Sequence, residues 1–307
     1  MRTILLVPQT IAAVIVTYNR AEKLMRVLDA LVAQTLPLDV IYVIDNASTD
    51  DTAGRVAARD IVNLRYIRLP ENLGGAGGFH AGMKQAYADG ADYLWISDDD
   101  AYPLADALKQ LRDGIEQFQQ QNGYRPSFAC SRVEWTDGSL CEMNTPMPVW
   151  DWPRFLRRET PWALVGGCSF VSVLVPRWVI TDHGLPIPEY FIWFDDAEFT
   201  RRIAKSYPGI FCPESRTIHD IAANKGVNYS LITRKTLWKF RYGARNETSF
   251  HRRERGMLGV VASTIKIARE MALGRIPWGI RWQIFAAILL GLWFRPAIPP
   301  APETGTA

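Results

Sequence analysis

Residues 77–100 read GGFHAGMKQAYADGADYLWISDDD, in which a helical segment ending at Gly90 leads into a short apolar strand and then into three carboxylates. The same alternation of apolar strand and helix fills the preceding part of the chain. Three earlier runs rich in apolar or β-branched residues lie at 12–19, 40–46 and 64–70. Strands of this kind separated by helices predict an α/β fold whose parallel sheet is covered on both faces.

Polar residues follow three of these four predicted strands. They form the segments 17–20, 45–46 and 98–100. Ligands bind at the carboxyl ends of the strands in open α/β sheets, and parallel strands bring those ends to one edge. The sequence therefore predicts a ligand-binding site built from these three segments.

Composition and charge narrow the function classes. A chain of 307 residues, 48% hydrophobic and 22% charged, is typical of one sizeable globular domain with or without an appendage. The net charge of +3 gives no support for a nucleic-acid partner. The four cysteines lack CxxC spacing, which indicates reduced thiols in a cytoplasmic protein. Pro8 and Gln9 interrupt the N-terminal apolar run, which argues against a signal peptide.

Carboxylates at residues 98–100 are the clearest chemical signal. Alternate residues of an extended chain point to the same side, so Asp98 and Asp100 could share one divalent cation. The alternative is a solvated acidic turn or a helix cap before Pro103. An apolar strand that runs directly into the acids favours the metal site.

A second acidic cluster follows aromatic residues in FIWFDDAEF (191–199). An apolar environment raises the proton affinity of a carboxylate, which suits Asp195 or Asp196 to general-base catalysis. An acidic first turn of a helix is the alternative and accounts for Glu198 at least in part. His219 ends a β-like segment, and manganese accepts imidazole beside carboxylates.

The glycine-rich stretch NLGGAGGF (72–79) fits neither common phosphate-binding motif. It lacks the Lys-Ser/Thr ending of a P-loop, and it does not follow the first strand as a dinucleotide-binding turn does. Its glycines could allow a ligand to approach the backbone closely, and a turn that needs positive φ is the alternative.

Six motifs in this order resemble inverting, nucleotide-sugar-dependent glycosyltransferases of family 2. They are VTYNR, VIDNASTD, ENLGGAGGF, SDDDA, FDDAEF and IHD, spread over residues 11–220. The combination of the glycine stretch with the triple Asp and DDAEF is closest to bacterial galactofuranosyltransferases. The resemblance implies a GT-A-type nucleotide-binding domain over residues 1–220, with a mostly parallel central sheet and a C-terminal helical appendage.

The resemblance also implies the donor site and the metal site. Thr17, Arg20 and Asp45 would hold uridine and its ribose, and Asn72, Gly74 and Gly75 would lie beside the diphosphate and the sugar. Mn²⁺ or Mg²⁺ would be bound by Asp98, Asp100 and His219, with Asp99 near the donor sugar or ribose.

Catalysis and acceptor binding are implied in the same way. Asp196 would be the base, with Asp195 beside it contacting donor or acceptor hydroxyls. Trp193 and Phe194 would form the acceptor wall, although galactofuranosyltransferases often have Trp directly before the acid pair. The implied partners are a UDP-sugar, most favourably UDP-galactofuranose, and a glycan or polyprenyl-diphosphate-linked glycan acceptor of bacterial surface polysaccharide synthesis.

Residues 221–295 are basic, aromatic and helical, and we expect residues 296–307 to be a disordered tail. Thirteen uncharged residues between Arg281 and Arg295 would span only about 20 Å as a helix, which is too short for a bilayer core. One face of this helix carries Trp278, Trp282, Phe285, Leu289 and Trp293. This pattern predicts a helix that lies on the inner face of the cell membrane, helped by the nearby cationic segments RRERG and WKFRYGAR. Packing on the protein or in a homo-oligomer interface is the alternative.

Three other functions compete with this hypothesis. A family 2 enzyme using another donor, such as dTDP-rhamnose, shares the same nucleotide and metal motifs. A nucleotidyltransferase typically has a basic glycine-rich loop after its first strand, whereas TYNRAEKL (17–24) has no glycine there. A non-catalytic membrane scaffold would not need the full set of acids and histidine.

Overall fold

Ten strands form one sheet in the computed structural model, which describes residues 9–151 and 161–303. The strands are β1 (Ile11–Thr17), β2 (Val40–Asp45), β3 (Leu64–Arg68), β4 (Tyr93–Asp98), β5 (Ala101–Pro103), β6 (Ala129–Trp135), β7 (Met147–Pro148), β8 (Ala163–Gly167), β9 (Val173–Pro176) and β10 (Gly209–His219). They run in the order β3-β2-β1-β4-β9-β6-β10-β8-β7, with β5 paired to β10.

The half of the sheet made by β3, β2, β1 and β4 is parallel, as the apolar runs predict. All seven residues of β1 are buried because helices cover both faces of the sheet. Ala13 and Ile15 pack on one side, and Val14 and Val16 pack on the other. This two-sided burial explains why the strand is apolar throughout and does not alternate.

The other half departs from the mostly parallel sheet that we expect from the sequence. Strand β9 is antiparallel to both of its neighbours, β4 and β6, and β8 is antiparallel to β10. The sheet as a whole is therefore mixed. Strands β8 and β9 lie on either side of β6 and β10 and run opposite to both of them.

Helices cover the sheet in two layers. They are α1 (Ala21–Val32), α2 (Thr52–Ala57), α3 (Gly74–Ala88), α4 (Ala107–Asn122), α5 (Arg177–His183) and α6 (Asp195–Ala204). Leucines of α1 and α4 pack on one face of the sheet. Apolar residues of α3, α5 and α6 pack on the other face, so that the N-termini of α3 and α6 lie near the carboxyl edge of the parallel strands.

The glycine-rich stretch is the beginning of α3 and not a flexible loop. A β-carbon at Gly78 would lie 2.4 Å from Cγ1 of Val16, and one at Gly82 would lie 2.4 Å from Cγ1 of Val14. These two glycines therefore let the helix pack closely on β1. Gly75 is different, because no atom of the described residues lies within 4 Å of its β-carbon position.

Two helices form the C-terminal region: α7 (Leu237–Leu273), which is kinked where Gly256 has φ of 63°, and α8 (Trp278–Trp293). They share an apolar core. In the described part of the chain, no helix combines the length and the apolar character that crossing a bilayer would need.

The expected disordered tail is wrong for residues 296–303. This extended segment returns to the sheet domain, where the carbonyl of Pro299 accepts a hydrogen bond of 2.9 Å from the backbone N–H of Leu185. Ala301 packs against the core, which explains why a proline-rich sequence is ordered without regular secondary structure. Residues 304–307 lie outside the described residues, as do residues 1–8 and 152–160.

Candidate active site

A cleft of about 620 Å³ lies at the carboxyl edge of β4, between the sheet, α6 and α7. Nine of the predicted site residues line it: Arg20, Gly75, Asp98, Asp100, Trp193, Phe194, Asp195, Asp196 and His219. Acids that are almost 100 residues apart in the sequence therefore face one space. The others are not among the residues that line this cleft: Thr17, Asp45, Asn72, Gly74 and Asp99.

Asp98, Asp100 and His219 form the candidate metal centre. Each offers one ligand atom, and these atoms lie within 4.8 Å of one another. Strand β10 brings His219 next to β5, where it pairs with Ala101, so the histidine reaches the acids that end β4. Oxygen and imidazole ligands suit Mn²⁺, and a largely oxygen set also suits Mg²⁺, so the residues fit such an ion.

Neighbouring charges set the proton affinities in this group. Burial and the adjacent Asp100 raise the pKa of Asp98 to about 7. Burial opposes ionisation of His219, but its hydrogen bond to Asp100 raises the pKa of this imidazole to about 9. At neutral pH His219 is therefore a cation paired with the Asp100 carboxylate. Its positive charge takes the place of the charge that a bound divalent ion would supply.

Arg20 and Asp99 lie beside the candidate metal centre and contact each other. Arg20 Nη1 is 3.0 Å from Asp99 Oδ1 and 2.7 Å from Asp100 Oδ2. The hydroxyl of Thr17 donates to Asp99 Oδ2 at 2.7 Å. Asp99 is thus buried and bound by the last residue of β1 and by Arg20, which lies directly before α1.

The remaining donor-site candidates are fixed by local hydrogen bonds. The fully buried carboxylate of Asp45 accepts from the hydroxyl of Tyr66 at 2.5 Å and from the N–H of Ser48 at 2.9 Å. Asn72 Oδ1 accepts from the N–H of Gly74 at 2.8 Å, which orders the start of α3. Contacts of these residues with uridine stay a prediction.

Asp195 and Asp196 are the first two residues of α6, on the wall that faces the metal centre. Burial raises the pKa of Asp196 to about 6, although the N–H of Ala197 donates to its Oδ1 at 2.7 Å. Burial and the adjacent Asp196 raise the pKa of Asp195 well above its usual value. A carboxylate with a pKa near 6 is ionised at neutral pH and can still accept a proton, which suits a general base.

Glu198 has a different role from its two acidic neighbours. Its carboxylate receives two hydrogen bonds from Arg202, at 2.8 and 3.0 Å, and Arg253 of α7 lies 3.3 Å away. This buried network joins α6 to α7. Glu198 is thus structural, in line with the alternative reading of the acidic cluster.

The sequence did not indicate Asn144 or Lys239 as site residues, yet both line the cleft. Asn144 Oδ1 lies 2.7 Å from His219 Nδ1 and so turns Nε2 of the imidazole toward Asp100. Asn144 lies in the irregular middle of the chain, where no local pattern marks it. Lys239 is at the start of α7, where basic residues are numerous.

Known proteins that are similar in sequence to this chain are glycosyltransferases. Residues 12–140 match the family described as glycosyl transferase family 2. Over 232 residues the chain is 41% identical to galactofuranosyltransferase GlfT1 of Mycobacterium tuberculosis, covering 71% of this chain and 72% of that protein.

Solved structures share the fold at low sequence identity. Staphylococcus aureus TarS superposes with a TM-score of 0.61 and 16% identity over 91% of this chain. GalNAc-T7, solved with UDP, GalNAc and Mn²⁺, superposes with a TM-score of 0.57 and 15% identity over 79% of this chain. This chain spans about half the length of each of those two structures.

Proposed function

This chain belongs to glycosyl transferase family 2, and we propose that it transfers galactofuranose from UDP-galactofuranose to a lipid-linked glycan acceptor with inversion at the anomeric carbon. The observation that carries the proposal is the single cleft in which Asp98, Asp100 and His219 face Asp196. The choice of donor is supported by the 41% identity to a galactofuranosyltransferase over most of both chains.

The acidic group supports a divalent-metal requirement. An ion held by Asp98, Asp100 and His219, Mn²⁺ or Mg²⁺, would neutralise the charge that develops on the departing diphosphate. Arg20 touches Asp100 and would keep this carboxylate oriented while its other oxygen faces the ion. Metal binding also requires a neutral imidazole, so His219 must release its proton.

Transfer needs a base on the side opposite the leaving group. The Asp196 carboxylate would accept the proton of an acceptor hydroxyl while the oxygen of that hydroxyl forms a bond to the anomeric carbon and the bond to UDP breaks. Asp195 would bind donor or acceptor hydroxyls, and Trp193 and Phe194 would hold the acceptor against the base. The reaction is a single displacement, so no covalent intermediate with the protein is required.

The C-terminal region supports a location at the inner face of the cell membrane. Trp278, Trp282 and Trp293 of α8 are 69%, 68% and 75% exposed. Arg269, Arg275 and Arg295 lie on the same two-helix unit or directly after it. Exposed tryptophans beside cations are typical of helices that rest in the headgroup layer, where a polyprenyl-diphosphate-linked acceptor would be found. We infer a catalytic domain of residues 1–220 and a membrane- or acceptor-associated region of residues 221–295.

The test is UDP or dTDP release by the purified protein. UDP-galactofuranose, UDP-galactopyranose, UDP-glucose and dTDP-rhamnose are each supplied with Mn²⁺, with and without EDTA, and with a lipid-linked acceptor. We expect release from the furanose donor alone, and none after EDTA. Release from another donor only would overturn the galactofuranose assignment, and turnover that EDTA leaves unchanged would overturn the metal requirement.

A further inference from the structure

The loop that leads into the acid pair has an unusual backbone. Phe191, Trp193 and Phe194 have φ of 65°, 64° and 68°, the left-handed region that favours glycine. Three bulky aromatic residues in this region within four positions persist only where surrounding structure holds them, and such strain is concentrated at active sites. The contacts that hold this loop in place therefore indicate which other residues belong to the active site.

Asn246 of α7 supplies most of that restraint. Its side chain is fully buried, and Nδ2 donates to the carbonyls of Tyr190, Ile192 and Trp193 at 2.8, 3.0 and 3.0 Å. The amide orientation is set by its partners, because Nε of Arg245 donates to Oδ1 at 2.9 Å. One amide thus binds three backbone carbonyls, each of which directly precedes a residue with left-handed φ.

Neighbouring residues of the same helical turn fit the loop side chains. A β-carbon at Gly243 would lie 2.6 Å from Cε3 of Trp193, so only glycine leaves room for this indole. The ring of Tyr242 stacks on Phe191 with centroids 4.8 Å apart and planes 18° apart. The segment YGARN (242–246) therefore contacts the loop at several positions between Tyr190 and Trp193.

The other side of the loop faces the site. The carbonyl of Phe191 accepts a hydrogen bond of 3.2 Å from the N–H of Ala76, in the first turn of α3. Trp193 and Phe194 line the cleft, and α6 begins with the next residue, Asp195. The loop thus connects the glycine-rich start of α3, the aromatic wall and the acid pair.

We propose that residues 242–246 are part of the acceptor side of the active site, with Asn246 as the positioning residue that fixes Trp193, Phe194 and the acid pair. The proposal rests on the glycosyltransferase function inferred above. It also places the WKFRYGAR stretch, a lipid-binding candidate by its charge, partly inside the catalytic unit. Because the candidate metal ligands lie at the end of β4, directly after it and on β10, and not on α7, loss of Asn246 should impair transfer and leave UDP and metal binding intact.

The test compares Asn246→Ala and Asn246→Asp with Ser263→Ala, which removes another buried side-chain hydrogen bond from α7 far from the loop. Asn246→Asp keeps the shape but directs an oxygen at three carbonyl oxygens. We expect transfer to an acceptor to fall about 100-fold in both Asn246 variants, since misplacing reacting groups by about 1 Å has effects of that size. The affinity for UDP with Mn²⁺, measured by calorimetry, should match wild type, and Ser263→Ala should transfer normally.

Hydrogen exchange over residues 188–198 gives a readout that needs no substrate. Faster exchange confined to this segment in the Asn246 variants supports the proposal, even if the wild-type protein uses no donor tested and the proposed function fails. Wild-type transfer in Asn246→Asp, or a loss of transfer that Ser263→Ala reproduces, overturns it. Gly243→Ala displaces Trp193 without removing a polar group, so it must show the same selective loss if the Asn246 variants do not fold.

Discussion

The carbonyl oxygen of Phe191 lies so close to Gly74 that a β-carbon at position 74 would be 2.1 Å from it. Gly74 also has φ of 71°. The first residue of α3 and the loop before the acid pair are thus in direct contact, which joins the predicted donor side of the cleft to its acceptor side.

Gly74→Ala should disturb both sides together. The left-handed backbone costs about 1–2 kcal/mol with a β-carbon present, and the contact with Phe191 forces the loop away. We expect a lower Tm and a transfer rate reduced about 100-fold through displacement of the aromatic wall. Thermal unfolding and steady-state transfer assays measure the two effects.

Gly90→Ala is the matched control. Gly90 follows the same helix with φ of 91°, but within residues 9–151 and 161–303 no atom lies within 4 Å of its β-carbon position. It should therefore lower Tm without slowing transfer. If both glycine variants slow transfer equally, the Phe191 contact has no role beyond stability.

Asp196→Asn tests the base. An asparagine cannot accept the acceptor proton, so turnover should fall about 10²–10⁴-fold while UDP affinity stays the same. Unchanged turnover would exclude Asp196 as the base, whereas a lack of turnover in wild type and variant alike would favour a non-catalytic protein.

The pH profile provides an independent test of the same carboxylate. The raised pKa of Asp196, about 6, means that the group is protonated and inactive below this pH and ionised above it. Transfer at saturating metal should therefore decline as pH falls through about 6. A rate that is flat from pH 7 down to pH 5 would exclude Asp196 as the group that limits transfer.

Asn144 should control metal affinity through His219. Removing the acceptor that orients Nδ1–H typically reduces metal affinity about 10–100-fold, so we expect this loss in Asn144→Ala and a smaller one in Asn144→Asp, which keeps an acceptor. Calorimetry with Mn²⁺ and UDP measures it. Equal Mn²⁺ affinity in Asn144→Ala and wild type would remove Asn144 from the metal site.

Metal affinity should also depend on pH. The pKa of His219 is raised to about 9, so below this pH a proton competes with the ion for the imidazole. Affinity should therefore rise as pH increases from 7 to 9, with proton release that calorimetry in two buffers detects. His219→Ala should bind the ion more weakly and lose most of this pH dependence, although Asp98, with a pKa of about 7, contributes below pH 7.

Local pattern predicts the parallel half of the fold because helices separate its four strands along the chain. The same pattern predicts that Asp98 and Asp100 lie at the end of a strand. It does not give the mixed half, since the direction of β9 depends on pairing with β4 and β6, which are distant in sequence. Nor does the glycine pattern reveal that Gly78 faces β1 and not a ligand.

The hydrogen bonds by which Asn246 holds the loop of residues 191–194 could not be predicted from the sequence. Aromatic residues disfavour left-handed φ, so FIWF (191–194) gives no sign of its conformation. Asn246 lies within a helix, more than 50 residues from the carbonyls that it binds. His219 could be found because of the family motif, whereas its partner Asn144 has no comparable signal. Polar contacts between residues that are distant in sequence are therefore the part of the site that the sequence does not predict.

The exposed tryptophans of α8 give the last prediction. Replacing Trp278, Trp282 and Trp293 together by Ser removes the apolar side chains that would enter the headgroup layer, while the buried face of α8, which packs on α7, stays intact. We expect wild type to sediment with vesicles containing anionic lipid and the triple variant to lose most of this binding. Trp150→Ser is the matched control, because Trp150 is 89% exposed outside the C-terminal helices and its loss should leave binding unchanged. Higher salt should weaken binding, since the nearby arginines contribute by charge. Equal sedimentation of the triple variant and wild type, or a triple variant that changes only the oligomeric state, would assign this face to protein contacts and not to the membrane.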